Sequence, residues 1–236
     1  MKAMLLRVGI DKGCGGALSP IFSDGSFEYI PIPESDPKTN ESRTYQNTLG
    51  RTGKPLSDFL PSKICQSKMH FDPEFETFTY GDPSKSKRKF LLKLEKNDLL
   101  VFYAGLTPYK NDKYPNALYI IGYFVVENVA NFNELSKEDR LKFFNLYSNN
   151  SHVKCGDLKD LVIIEGNRRK SKLMGKSVLI SSQKLNRIGR PYHAVSPEIE
   201  KLLGIKGSIQ RSIPPRMIRD SVRVENLKML LKIKNI

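Results

Sequence analysis

The chain has 236 residues, 39% hydrophobic and 27% charged, a composition that fits a folded globular protein and excludes a disordered or fibrous one. Its longest apolar run, 118–126, is too short to span a bilayer, and Arg7 interrupts the first apolar stretch, so a cytoplasmic location without a membrane partner is expected. The formal net charge of +14 is unevenly placed: residues 1–80 hold 9 basic and 10 acidic side chains, residues 81–236 hold 30 and 15, and residues 166–236 alone hold 17 and 4. A near-neutral part joined to a strongly basic one is the footprint of a polyanion binder, with a Lys-rich solvated surface and an anionic membrane or protein partner as the competing explanations.

In chain order, Ala3 to Ile10 reads as a buried strand. It runs into Asp11-Lys12-Gly13-Cys14-Gly15-Gly16, where three glycines permit left-handed backbone and close approach to a ligand. Asp24-Gly25 predicts a type I′ hairpin between 17–22 and 26–32. Residues 34–70 read as a long loop with one short helix, and His70 to Pro83 alternates polar and aromatic residues before a Gly-Asp-Pro turn. Ser84 to Lys89 reads as a flexible basic segment. Two long apolar strands follow, NDLLVFYAGL and LYIIGYFVVE, the second with a single glycine.

Ser136, with Asp139 three residues on, caps a helix Lys137 to Tyr147 expected to bury Leu141, Phe144 and either Phe143 or Tyr147. Leu161 to Ile164 and Val178 to Ser182 read as strands. From Met217 the apolar residues Ile218, Val222, Leu227, Leu230 and Ile233 recur at near-helical spacing among basic ones. The chain reads as one elaborated domain, with a core over about residues 3–182 and a basic extension over about 183–236.

Three constellations bear on chemistry. The glycine loop is neither a Walker A loop nor a dinucleotide fingerprint, because Gly15-Gly16 leads to a hairpin and not a helix. It fits a structural turn, a ligand-facing loop, or the first hairpin of RNase H-like nucleases and sugar-kinase-type ATPases, where the Asp ligates a metal. In HFDPEFETFTYGDP, residues two apart share a face of an extended segment, so His70 and Asp72, or Glu74 and Glu76, converge if it is extended. A metal site, acid/base or base-edge recognition, and a structural turn network all fit this stretch. His152 and His193 lie in loops without ligand spacing, and surface or turn roles are expected. Cys14, Cys65 and Cys155 form no Cys-x-x-Cys pair, so neither a disulfide framework nor a zinc ribbon is supported.

The order of a charged turn, an Asp, a strand with Tyr, a loop, Ile-Gly and a strand with Val-Val resembles the middle of PUA-like domains of the EVE, YTH and ASCH type. That resemblance implies a small curved barrel that holds one nucleobase. Taken together, RVGIDKGCGG…SPIFSDGSFEYIPIPE, HFDPEFETFTYGDP and NDLLVFYAGL resemble the third family of nucleotide-modification-associated domains, from about Met4 to Ser182. This implies a nucleic-acid theme and leaves catalysis open.

The expected fold is α+β, a PUA-like curved β-barrel or half-barrel with a few peripheral helices and a basic C-terminal helix. The expected function is binding of nucleic acid, DNA slightly ahead of RNA, with recognition or processing of a modified base. The alternative is an enzyme on nucleic acid: a nuclease, base glycosylase or base-modifying transferase. Candidate catalytic residues are Asp11, His70, Asp72, Glu76 and Asp82. Candidate base contacts are Asp11, Lys12, Gly15, Gly16, Asp72, Glu76, Tyr80 and Tyr103. Candidate phosphate contacts are Lys85, Lys87, Arg88 and Lys89, and Arg168, Arg169 and Lys170, the latter three at the rim of a pocket expected where the Asp11–Gly16 loop, the His70–Asp82 segment and the Tyr103 end of the first central strand converge. No metal or cofactor is expected, except Mg²⁺ or Mn²⁺ under the nuclease alternative. The sequence leaves the oligomeric state open.

Overall fold

The computed structural model describes residues 1–156 and 158–234. One eight-stranded mixed sheet organises the chain. Its path is β12 (Arg216–Ile218), β1 (Ala3–Arg7), β6 (Leu99–Pro108), β7 (Ala117–Asn131), β8 (Val162–Gly166) and β5 (Thr79–Asp82). β2 (Ser19–Ile21) joins β6, and β9 (Lys172–Leu179) joins β7. β1 is parallel to β6, while β12 is antiparallel to β1. Two-stranded pairs are made by β3 (Ile32–Pro33) with β4 (Met69–His70), and by β10 (Ser181–Leu185) with β11 (Pro191–Val195).

The end strands β12 and β5 do not pair, so the described residues form no closed barrel. The expected α+β class holds, with α1 (Lys85–Leu91), α2 (Lys137–Leu146), α3 (Ser151–Cys155), α4 (Pro197–Leu203) and α5 (Ser221–Leu231) among the described residues. None of these helices is long and apolar enough to cross a membrane.

The two central strands are apolar from Leu99 to Leu106 and from Ala117 to Val126 because both faces of the sheet are covered there. Leu99, Val101 and Tyr103 pack on one side with Ile199, Leu203, Val224 and Leu227 of α4 and α5. Leu100, Phe102 and Ala104 face the other way, onto Tyr80, Phe124 and Ile164. Bulges in β7 between Ile120 and Gly122, and between Val126 and Asn128, let its first half pair with β6 and β9 and its second half with β8. The lone glycine of β7 is a packing requirement: a Cβ on Gly122 would lie 2.8 Å from the Lys172 carbonyl and from the Phe75 ring.

Several local expectations are corrected. The hairpin at Asp24-Gly25 has a three-residue loop, with Phe22 N–H donating to the Ser26 carbonyl at 2.8 Å and only Gly25 left-handed, at φ +84°. Residues 34–70 hold two 3₁₀ turns, Leu56–Phe59 and Ser62–Ile64, and pack Tyr45, Leu56 and Met69 with Ile10 and Ile30 in a small separate core. Ser84–Lys89 is not an irregular segment: Pro83 follows β5, Ser84 is the N-cap, and the next residues, mostly good helix formers, build α1 with Leu91 buried. On α2, Ser136 accepts from the Asp139 N–H as expected, but Leu141 and Phe144 are exposed and Phe143 and Tyr147 pack inward. Residues 183–236 supply an edge strand and two helices to the main core.

Candidate functional site

β1 and β6 run side by side to Arg7 and Tyr103, where β1 leaves the sheet while β6 continues to Pro108. Gly9 turns it with φ +73°, and a Cβ there would press on the Ile30 carbonyl at 3.3 Å. The loop that follows folds around Asp11. Its Oδ1 accepts from the Gly13 and Cys14 N–H groups at 2.9 and 2.8 Å, and its carbonyl accepts from Cys14 and Gly16. Its Oδ2 takes the Arg211 Nε–H at 2.5 Å, with an Arg7 amino group at 3.5 Å. Arg211 also donates to the Gly9 carbonyl, which cross-ties the loop to a residue 200 positions away.

Burial raises the Asp11 pKa, but the hydrogen bond and charge of Arg211, with the charge of Arg7, outweigh it and hold the carboxyl below its ordinary value. Burial lowers the Arg7 pKa, Asp11 offsets part of that, and Arg211 adds to it. The Arg7 Nε is buried without a hydrogen-bond partner.

Arg7 and Arg211 form the wall between two adjoining cavities. The larger, about 670 Å³, lies over the Asp11 loop and is lined by Lys12, Asn116, Gln183, Tyr192, His193 and Gln210. The smaller, about 210 Å³, is lined by His70, Asp72, Tyr80, Asp82, Lys87 and His152. In the smaller one, His70 Nδ1 lies 2.7 Å from Glu34 Oε2, and the His70 and His152 rings meet edge to face, 4.7 Å between centroids. His152 Nε2 lies 3.6 Å from Asp72 Oδ2, while Asp72 Oδ1 accepts the Gly81 N–H at 2.7 Å. Asp82 takes Lys87 Nζ at 2.8 Å and the Tyr80 hydroxyl at 3.2 Å.

Electrostatics divides these groups. Burial raises the Glu34 pKa, but the His70 bond and neighbouring backbone N–H groups bring it down to about 2. Burial likewise raises Asp82, and Lys87 reverses the shift. For His152, burial favours the neutral ring, but Asp72 contact and charge, with Asp82 and Glu34, raise its pKa above the ordinary value. Glu34 and Asp82 are thus held ionised near an imidazole that keeps its proton longer than a free one.

The model of the family nucleotide modification associated domain 3 matches residues 2–194. The chain belongs to that family. No curated protein and no solved structure matches it. In this nucleotide modification associated domain, the matched span holds the Asp11 loop, the His70–Asp82 segment, His152 and all but the last residue of the β10–β11 hairpin, and it ends before Arg211.

Of the residues singled out in sequence, Asp11 and Lys12 line the larger cavity, and His70, Asp72, Tyr80, Asp82 and Lys87 line the smaller. Gly15 and Gly16 line neither. A Cβ on Gly15 would fall 2.5 Å from the Ile10 side chain, so that glycine serves loop packing. The pairing of Glu74 with Glu76 does not form, because the segment turns: Glu74 is buried and accepts the Thr77 N–H, while Glu76 sits on the surface against Arg43. Glu76 is therefore outside the site. Tyr103 is 3% exposed, with its hydroxyl on the Ile209 carbonyl, and has no face for a base. Tyr80, 2% exposed, packs its ring on Phe102.

Among the basic candidates, Lys85 and Lys89 are exposed on α1, whereas Arg88 is tied to Asp160 and Asn131. Arg168, Arg169 and Lys170 form an exposed turn, but not at the rim. Asn167 N–H bonds the Val125 carbonyl, and Val125 pairs with Leu99, so the turn lies at the opposite end of β6 from Tyr103, about 13 Å along the strand. Sequence reasoning missed His152, His193, Tyr192, Gln183 and Arg211. Each reaches the site through long-range packing, and only the basic character of 166–236 pointed toward Arg211.

Proposed function

We propose that the protein binds nucleic acid across the Arg7–Arg211 wall and recognises or processes a modified base there. The observation that carries this reading is the wall itself, two guanidinium groups positioned by one buried carboxylate between two cavities of different chemistry. The larger has the volume of a ligand pocket, and amide side chains with one tyrosine suit the edge and face of a base. The guanidinium groups suit the phosphate that follows it. The register shifts in β7 are of the kind that bend a strand, which supports the PUA-like half-barrel curvature expected from the sequence.

The test is a mobility-shift series with mixed DNA and RNA oligonucleotides over a range of salt. Affinity falls linearly in log–log coordinates, and Arg211→Ala weakens binding and reduces the slope by about one. Absent or salt-insensitive binding overturns the reading. DNA is the first substrate to try.

A second reading, catalysis on nucleic acid, is favoured by the smaller cavity, which gathers His70, Asp72, His152 and the Lys87–Asp82 pair beside the same wall. Incubation with genomic nucleic acid, followed by strand-length and nucleoside analysis, tests it. Unchanged strands and unchanged bases, with and without added divalent metal, count against it.

A further inference from the structure

We propose that His70, Asp72 and His152 bind one divalent first-row transition-metal ion, with its open coordination positions facing the smaller cavity. One ligand atom from each of the three lies within 4.8 Å of the other two. Nitrogen and oxygen donors sit at about 2.0–2.2 Å from such an ion. Donors at that radius are about 3–4 Å apart, so closure takes side-chain shifts of under about 1 Å.

Each ligand is held by a partner that leaves its donor atom free. Glu34, whose side chain is 5% exposed, engages His70 at Nδ1 and leaves Nε2 as the donor. A carboxylate behind an imidazole is the arrangement that fixes the tautomer of a metal-binding histidine. Glu34 is itself anchored, its Oε1 accepting the Ser35 and Asp36 N–H groups at 2.8 and 2.9 Å. Asp72 gives Oδ1 to the Gly81 N–H and keeps Oδ2 for the site. His152 is set by α3, whose cap Asn150 accepts the His152 N–H, and its ring is confined because a Cβ on Gly81 would lie 2.9 Å from its Cδ2.

A structural network is the competing account, but it leaves His152 and Asp72 at 3.6 Å, longer than a hydrogen bond. Two imidazoles and one carboxylate suit Zn²⁺ or Fe²⁺ and not Mg²⁺, which prefers oxygen donors. Asp82 is not a ligand, since Lys87, Tyr80 and Ser84 occupy its oxygens. Three protein ligands beside a cavity is the pattern of an ion that retains exchangeable positions.

The test uses the full chain, freed of metal by chelator, titrated with ZnCl₂ by calorimetry and with CoCl₂ by absorption and NMR. One ion per chain is expected, with ring signals of two histidines shifted by Co²⁺. His70→Ala and His152→Ala lower affinity by more than the about 10–100-fold expected for Glu34→Gln. Asp72→Asn weakens binding while keeping an acceptor for Gly81, and Cys65→Ser has no effect. Absence of stoichiometric binding overturns the proposal, as does undiminished binding in histidine variants with native melting curves. If those variants fail to fold, the wild-type Co²⁺ spectrum decides: two shifted imidazoles support the site, and one or none overturns it. Because the probe is the metal alone, this outcome is independent of whether the protein binds nucleic acid.

Discussion

Asp11 shows how a residue that looks catalytic in sequence becomes a fastener. Oδ1 accepts two backbone N–H groups, and Oδ2 takes the Arg211 Nε–H and faces Arg7, so the carboxylate positions charge and is held ionised by both arginines. Glu41 plays a similar part in the long loop. Its side chain is 3% exposed and pairs with Arg43 at 2.9 Å and Lys154 at 2.7 Å. Burial raises its pKa, but the hydrogen bonds from Arg43 and Lys154 bring it down from 4.5 to about 2. The folded state therefore prefers the ionised form. Its contribution is complete above pH 4.5 and is lost as the pH falls toward about 2. Glu41→Gln should cost about 3 kcal/mol at neutral pH, the low end for breaking a buried pair, because Arg43 keeps Glu76. Urea melts of both proteins should converge between pH 4.5 and 2; a gap that stays constant over that window refutes the assignment.

At the scale of elements, strands were more legible than helices. The β6–β7 pair was readable because burial on both faces leaves nearly unbroken apolar runs, and Gly122 stood out for a packing reason. The tail misled because its near-helical spacing crosses a junction. Ile218 belongs to β12, and α5 starts only after its cap Asp220, so the buried face passes through Val224 and Leu227 and not Val222. Val224 is 1% exposed and Val222 is 67% exposed. Val224→Asp should therefore destabilise by more than about 3 kcal/mol through an unpaired buried charge, while Val222→Asp should stay within about 0.5 kcal/mol. Equal effects in thermal melts would show that the helix is rotated from this phase.

For the whole molecule, the sequence made the ingredients of the site visible but not its assembly. The Asp11 loop and the His70–Asp82 segment stood out as local concentrations of glycine and polar groups. Their partners Arg211 and His152 did not, because each contact joins segments with no shared spacing. The family match ends at 194, yet beyond it lie Ile199, Leu203, Ile218, Val224, Leu227 and Leu231, all in the core against β1 and β6. A chain cut after residue 194 should thus lose its cooperative melting transition. A sharp, native-like transition in that truncated chain would mean that the last helices are accessory.

The cross-tie from Arg211 to Gly9 and Asp11 also orders events in time. A ribosome adding about 5–20 residues per second needs about 10–40 s to travel from Asp11 to Arg211. Throughout that interval β1 lacks its outer neighbour β12, and the Asp11 carboxylate faces Arg7 alone. The nascent chain therefore carries the Arg7–Arg211 wall half made, and the second guanidinium arrives only when the sheet has its last strand within reach.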